Sequence, residues 1–200
     1  MSKNTDPARK EAIIFDLDGT ITDFRLIDNE IITDMFKSKF VLFLDKILWR
    51  INEQDVLKNT MIFLKIRLLL YSIFSGKNYV KIMKRYREEY FFKTYSEFRK
   101  MYELLIVIAK RYEVIILSNN EFSKGIEYGK ITVTNSKSKH LSLLKFMKTY
   151  NIKYFVGNNL LDDILTVKGT SIRSIYVGKS RVVSAFAYDT CDIFEFLKSL

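Results

Sequence analysis

One cysteine, one proline, one histidine and only seven glycines in 200 residues exclude whole classes of protein at once. Cys191 has no second thiol in the chain to pair with, so no disulfide framework forms within it and the residue reads as small-residue packing. His140 is the only histidine, which leaves a Ser-His-Asp mechanism little support; it reads as a surface residue at a helix start. No apolar run is long enough to span a bilayer comfortably. The longest, Met61 to Phe74, is interrupted by Lys65 and Arg67. Met1 to Lys10 is polar and no signal-peptide hydrophobic region follows it, so a soluble cytoplasmic protein is expected.

What is present is a core. Apolar residues make up 48% of the chain, enough to argue against disorder and to fill one domain with an inserted subdomain. The formal net charge is +10, yet the lysines and arginines are spread along the chain with no zinc-ligand or glycine-rich module beside them. No nucleic-acid partner is expected on that basis. A positive field would equally draw in a small phosphate ester.

The most informative string is Ile13-Ile14-Phe15-Asp16-Leu17-Asp18-Gly19-Thr20-Ile21-Thr22-Asp23. It sets two carboxylates two positions apart just beyond a strand-like run, with a glycine that lets the backbone turn sharply. Like charges held that close repel unless a cation or a shared proton lies between them. A hard divalent ion such as Mg²⁺ takes oxygen ligands and leaves room for a phosphate. Asp-Gly after hydrophobic residues is also an ordinary turn signal, and the surrounding pattern decides between the two.

From Asp23 to about Tyr95 there is no proline and Gly76 is the only glycine, while apolar residues recur at helical intervals. Helices are expected over Asn29 to Trp49, Glu53 to Phe74 and Asn78 to Phe91, forming a small bundle. Ser96 reads as the cap of a separate helix carrying Phe98, Met101, Leu105 and Ile108. Strands and helices then alternate. Strands are expected at Val114 to Leu117, around Ile131 and Val133, and at Lys153 to Val156 and Ser174 to Val177. Helices are expected at Lys139 to Tyr150, Asp163 to Lys168 and Ile193 to Leu200. This order implies a mostly parallel sheet whose ligands bind beyond the C-terminal strand ends, where Asp16, Ser118 and Asn158 fall.

The first string resembles motif one of the haloacid dehalogenase-like (HAD) phosphohydrolases, Asp-x-Asp-Gly-Thr-hydrophobic-x-Asp, with Asp23 in its last position. Ser118-Asn119-Asn120 resembles motif two, where a hydroxyl and the adjoining backbone N–H bind phosphoryl oxygens. Lys139 best matches the motif-three lysine, with Lys137 as the other candidate. Gly157-Asn158-Asn159-Leu160-Leu161-Asp162-Asp163 resembles motif four, Gly-Asp followed by a later acid. Asp162 and Asp163 both meet that spacing, and Asp163 is favoured by the position of the next helix and return strand. Asn158 departs from the family. An amide can offer an oxygen but lacks the charge that strengthens cation binding. The departure implies weaker Mg²⁺ affinity, compensation by Asp162, or lost turnover.

The resemblance implies an α/β fold: a three-layer Rossmann-like core over residues 11–23 and 96–200, with an all-helical C1-type cap over 24–95. It implies a phosphate monoesterase in which Asp16 is the nucleophile and Asp18 the acid and base. Ser118, Asn119 and Lys139 would bind the phosphoryl group, and Asp16, Asp18, Asp163, Asn158 and Asp162 supply candidate Mg²⁺ ligands. Asp18 favours an alkoxide leaving group over a halide; phosphomutase chemistry uses the same pair. The expected partner is a small phosphorylated substrate. Two weaker alternatives are a HAD-fold binding protein impaired in catalysis, and peripheral membrane contact through the hydrophobic, basic stretch Phe36 to Phe74. Lys77, Lys81, Lys84, Arg85 and Arg87, interleaved with Tyr79, Tyr86 and Tyr90, read as a solvated helix face. Gly178-Lys179-Ser180 lacks the opening glycine of a phosphate-binding loop.

Overall fold

The computed structural model describes residues 9–52, 61–129, 131–179 and 181–200. Part of the polar N-terminal stretch, the first part of the helix expected from Glu53, and Ser180 lie outside the described residues. The elements come in the order β1 (Glu11–Asp16), α1 (Phe24–Met35), α2 (Lys39–Asn52), α3 (Met61–Ser75), α4 (Tyr79–Ala109), β2 (Glu113–Ser118), β3 (Glu127–Tyr128) and β4 (Ile131–Asn135). Then come α5 (Lys139–Thr149), β5 (Asn151–Gly157), β6 (Arg173–Tyr176), α6 (Arg181–Ser184), β7 (Asp189–Thr190) and α7 (Ile193–Ser199).

The strands form one sheet in the order β3-β4-β2-β1-β5-β6-β7. Every neighbouring pair is parallel except β3 with β4. β1 lies mid-sheet with β2 and β5 on either side, so the chain leaves it in one direction and returns on the other. That reversal opens a crevice at the strand C-terminal ends. A parallel sheet covered on both faces needs apolar residues at successive positions, and Ala12, Ile13, Ile14 and Phe15 are all fully buried. Ala12 and Ile14 share a cluster with Leu143 of α5, while Phe15 meets Phe196 of α7 edge-on at 6.4 Å. The core is therefore a three-layer α/β structure.

Residues 24–96 form a compact helical unit by themselves, and the remainder of the described chain forms the other. Within the helical unit Arg67 is 1% exposed and lies 2.9 Å from Asp28, with Asp45 as its second carboxylate. Tyr86 donates to Asp28 at 2.5 Å and Trp49 Nε1 at 3.1 Å, while Tyr71 donates to Asp45 and accepts from Arg67 Nε at 3.2 Å. Neighbouring Asp28 and Asp45 outweigh the cost of burial and raise the already high pKa of the guanidinium further.

Three local expectations give way. The helix expected over Asn29 to Trp49 breaks: the buried stripe of Phe24, Ile27, Ile31 and Met35 would continue through Ser38 and Lys39, which are exposed, and burial resumes out of phase at Val41. Ser96 starts nothing. Ile82, Tyr86, Tyr90, Thr94, Phe98, Met101 and Leu105 keep one unbroken stripe through it, so packing overrides the cap signal and α4 is a single helix. The stretch Asp163 to Lys168 is no α-helix. A wide π turn at Leu160–Ile164 runs into a 3₁₀ turn at Leu165–Val167, because the Asn159 side chain binds Leu161 N and Asp162 N while its carbonyl takes Asp163 N and Ile164 N. The short strands β3 and β7 have no apolar run to announce them.

Candidate active site

Asp16 closes β1. Strand alternation carries it to the face of Ala12 and Ile14, where α5 packs and Lys139 is the first residue of α5. Ser138 caps that helix, its Oγ accepting from Leu141 N at 3.4 Å. Lys139 Nζ is consequently 2.5 Å from Asp16 Oδ1 and 2.6 Å from Asp163 Oδ1, with all three side chains buried. Burial pushes the Asp16 carboxyl well above the usual carboxylate range; Lys139 opposes the shift, and Asp163 and Asp18 reinforce it. Lys139 moves upward too, because the two acids outweigh its own burial. The remaining Asp16 oxygen, Oδ2, meets Thr20 Oγ1 at 3.5 Å, the limit of a hydrogen bond.

The loop after Asp16 wraps on one carbonyl: Leu17 O accepts from Ile21 N at 3.0 Å and Thr22 N at 2.9 Å. Gly19 sits at φ +83°, and a Cβ there would fall 1.9 Å from Asn158 Nδ2, so the glycine serves both the turn and the approach of Asn158. Asp18 is held from β2. Ser118 Oγ donates to its Oδ2 at 3.1 Å and accepts from Asn120 N at 3.0 Å. Ser123 Oγ lies 3.0 Å from Ser118 Oγ, and Asn135 Nδ2 donates to Ser123 Oγ at 2.9 Å and to Asn120 O at 2.8 Å.

At the end of β5, Asp163 Oδ2 accepts from Asn158 N at 3.0 Å and Asn159 N at 2.9 Å. Gly157 leaves room for it, since a Cβ there would meet Asp163 at 2.4 Å. Asp162 points away and takes a hydrogen bond from Asn119 Nδ2 at 3.0 Å, both residues being exposed. The structure thus brings together Asp16, Asp18, Ser118, Lys139 and Asp163, sets Asn158 beside Gly19, pairs Asn119 with Asp162 at the surface, and leaves Lys137 exposed.

Sequence reasoning missed Asn120, Ser123 and Asn135, which build the buried hydroxyl and amide network around Ser118. Asn135 could have been found, since it ends the strand beside β2 and strand ends converge there. Ser123 lies three residues beyond Asn120, in the 3₁₀ turn that the Asn120 side chain caps through Phe122 N, a spacing that carries no chemical signature of its own.

Among the described residues no three acidic, thiol or imidazole side chains form a ready-made metal cage. The charge balance nevertheless fits a divalent cation: Asp16 and Asp163 both face the single ammonium of Lys139, and the buried Asp18 adds negative charge beside Asp16. Mg²⁺ is ordinarily held by one or two carboxylates plus waters and a substrate phosphate, which this set can supply.

No family model and no curated protein sequence matches the chain. Solved structures do. YfnB of Bacillus subtilis, assigned as a HAD-hydrolase and crystallised bound to magnesium, superposes with a TM-score of 0.65 at 14% identity, covering 96% of this chain and 98% of that one. A Burkholderia xenovorans protein assigned as a haloacid dehalogenase-like hydrolase superposes at 0.57 with 13% identity, covering 96% of each chain. The chain has the haloacid dehalogenase-like fold.

Proposed function

We propose that this protein is a Mg²⁺-dependent hydrolase of phosphate monoesters that works through an aspartyl-phosphate. The observation that carries the reading is the meeting of Asp16 and Asp163 on Lys139 at the C-terminal edge of the sheet, beside an Asp18 held by Ser118. In this reading an Asp16 oxygen attacks phosphorus in line. The bond to the leaving oxygen breaks, and Asp18 gives that oxygen its proton. Asp18 then takes a proton from water as the water attacks phosphorus. The bond to Asp16 breaks and inorganic phosphate leaves.

Lys139 balances negative charge on Asp16 and on the phosphoryl group, and the Ser118 hydroxyl turns from Asp18 to a phosphoryl oxygen. Asp16, the main-chain carbonyl of Asp18 and Asp163 would hold the cation, with Asn158 offering an amide oxygen. Bound Mg²⁺ supplies charge neutralisation that lets two anions approach. A cytoplasmic setting and a small phosphorylated substrate belong to the same reading.

A second reading is favoured by Asn158: a HAD-fold binding protein that has lost turnover. A phosphomutase would use the same aspartates but pass the phosphoryl group to a second alcohol. The test is Mg²⁺-dependent phosphate release from a panel of phosphate esters by the wild type and by Asp16→Asn. Release by the wild type alone supports the hydrolase. Transfer without net release identifies a mutase, and binding of the esters without release identifies the impaired protein.

A further inference from the structure

The α2–α3 hairpin carries an apolar face that no described residue covers. The two helices run in opposite directions, since Phe40 meets Phe74 at 5.2 Å and Asp45 meets Arg67. Val41 and Asp45 of α2 and Leu64, Arg67, Leu68 and Tyr71 of α3 turn inward and are buried. On the opposite side of α2, Phe40, Phe43 and Ile47 recur at helical spacing and are 55%, 61% and 39% exposed. On the opposite side of α3, Ile66, Leu69 and Ile73 repeat that spacing and are equally open. Two parallel rows of large apolar side chains therefore face outward, an arrangement that marks an interaction surface.

The charges beside them select the partner. The charged side chains of α2 and α3 are Lys39, Asp45, Lys46, Arg50, Lys65 and Arg67, and Asp45 and Arg67 consume each other inside. Every exposed charge on these two helices is positive. Lys39, Lys46 and Arg50 lie along one flank of the α2 apolar row. The exposed face of α4 differs: Lys84 lies 4.0 Å from Glu88 and Arg85 4.0 Å from Glu89, the mixed-sign pattern of a solvated helix.

We propose that the outward face of the α2–α3 hairpin rests on an anionic phospholipid bilayer, with its phenylalanine and isoleucine rows in the headgroup boundary and its flanking cations among the phosphates. The protein lies on the membrane without crossing it. Among the described residues no helix is long and apolar enough to cross. A second copy is the poorer occupant, because a two-fold contact through this face would set like-charged flanks together. Membrane contact of this kind is independent of phosphatase chemistry.

The experiment is co-sedimentation of the full chain with phosphatidylcholine vesicles and with vesicles also containing phosphatidylserine, at low and high salt. The expected result is binding to the phosphatidylserine vesicles alone, weakened by salt. Each cation at such a surface is worth about fivefold in partition. Lys46→Ala with Arg50→Ala should therefore weaken binding by about 25-fold. Phe43→Ser with Ile73→Ser should remove it, with thermal unfolding of both double variants tracking the wild type. If the apolar variant fails to fold, the basic variant decides alone. No sedimentation with phosphatidylserine vesicles at low salt overturns the proposal, as does binding indifferent to these substitutions. A dimer dispersed by Phe43→Ser with Ile73→Ser, without vesicle binding, identifies a second copy as the occupant and overturns it too.

Discussion

Two buried clusters in this molecule each set two carboxylates around one cation, and they differ in what is left over. In the helical unit Arg67 spans Asp28 and Asp45, and Tyr86, Trp49 and Tyr71 supply further donors to the same carboxylates. In the core Lys139 spans Asp16 and Asp163, but Asp16 keeps an oxygen with only a 3.5 Å contact and a carboxyl pushed upward by burial and by two neighbouring acids. A guanidinium ringed by satisfied acceptors holds helices in register. An ammonium beside an under-served carboxylate is poised for an incoming group. Burial of charge is common to both, so it is the unmet hydrogen-bonding capacity that separates the proposed reaction centre from scaffolding.

The sharpest way to break that comparison is to neutralise one acid in the core. Asp16→Asn should lower phosphate release by at least about a thousandfold, as loss of a nucleophile does, while leaving the unfolding temperature unchanged or higher because Lys139 then faces Asp163 alone. The matching change in the helical unit acts on stability. Arg67→Ala strands Asp28 and Asp45 and should cost about 3–5 kcal/mol in denaturant unfolding. Equal effects of the two substitutions on unfolding would erase the distinction.

Asn158→Asp adds a charge in nearly the same shape against Gly19. It should lower the Mg²⁺ concentration for half-maximal activity by about tenfold, measured by titrating metal into the assay. The smallest effect lies at Thr94, whose hydroxyl is fully buried with no hydrogen-bond partner among the described residues. Thr94→Val should raise stability by about 1 kcal/mol, and a loss of stability would mean that the hydroxyl is paired after all.

Much of the core was legible because its signals are local. The run Ile13 to Phe15 announces a strand buried on both faces, and Asp16-Leu17-Asp18-Gly19 announces a sharp turn carrying two carboxylates at its end. Alternation of helix and strand then carries Ser118, Lys139 and Asp163 to one edge of a parallel sheet. The choice between Asp162 and Asp163 was open at the level of spacing. It is the π turn that buries one and exposes the other, and that turn depends on the Asn159 side chain. Ser96 misled because a cap residue is a weak prior beside an apolar stripe that continues in phase from Ile82 to Ile108. Ser123 was invisible because its importance lies in a contact with Ser118 that no spacing announces, whereas Asn135, which binds Ser123 and Asn120, was readable from its place at a strand end.

The central claim is that Asp16 carries the phosphoryl group. The most direct measurement is a rapid acid quench of the enzyme turning over its best phosphate ester with Mg²⁺, with mass analysis of its peptides. The account predicts one phosphoryl group on the peptide containing Asp16 and none in Asp16→Asn. Direct attack of water would contradict it: phosphate released in a single turnover with no phosphoryl group on Asp16 at any quench time.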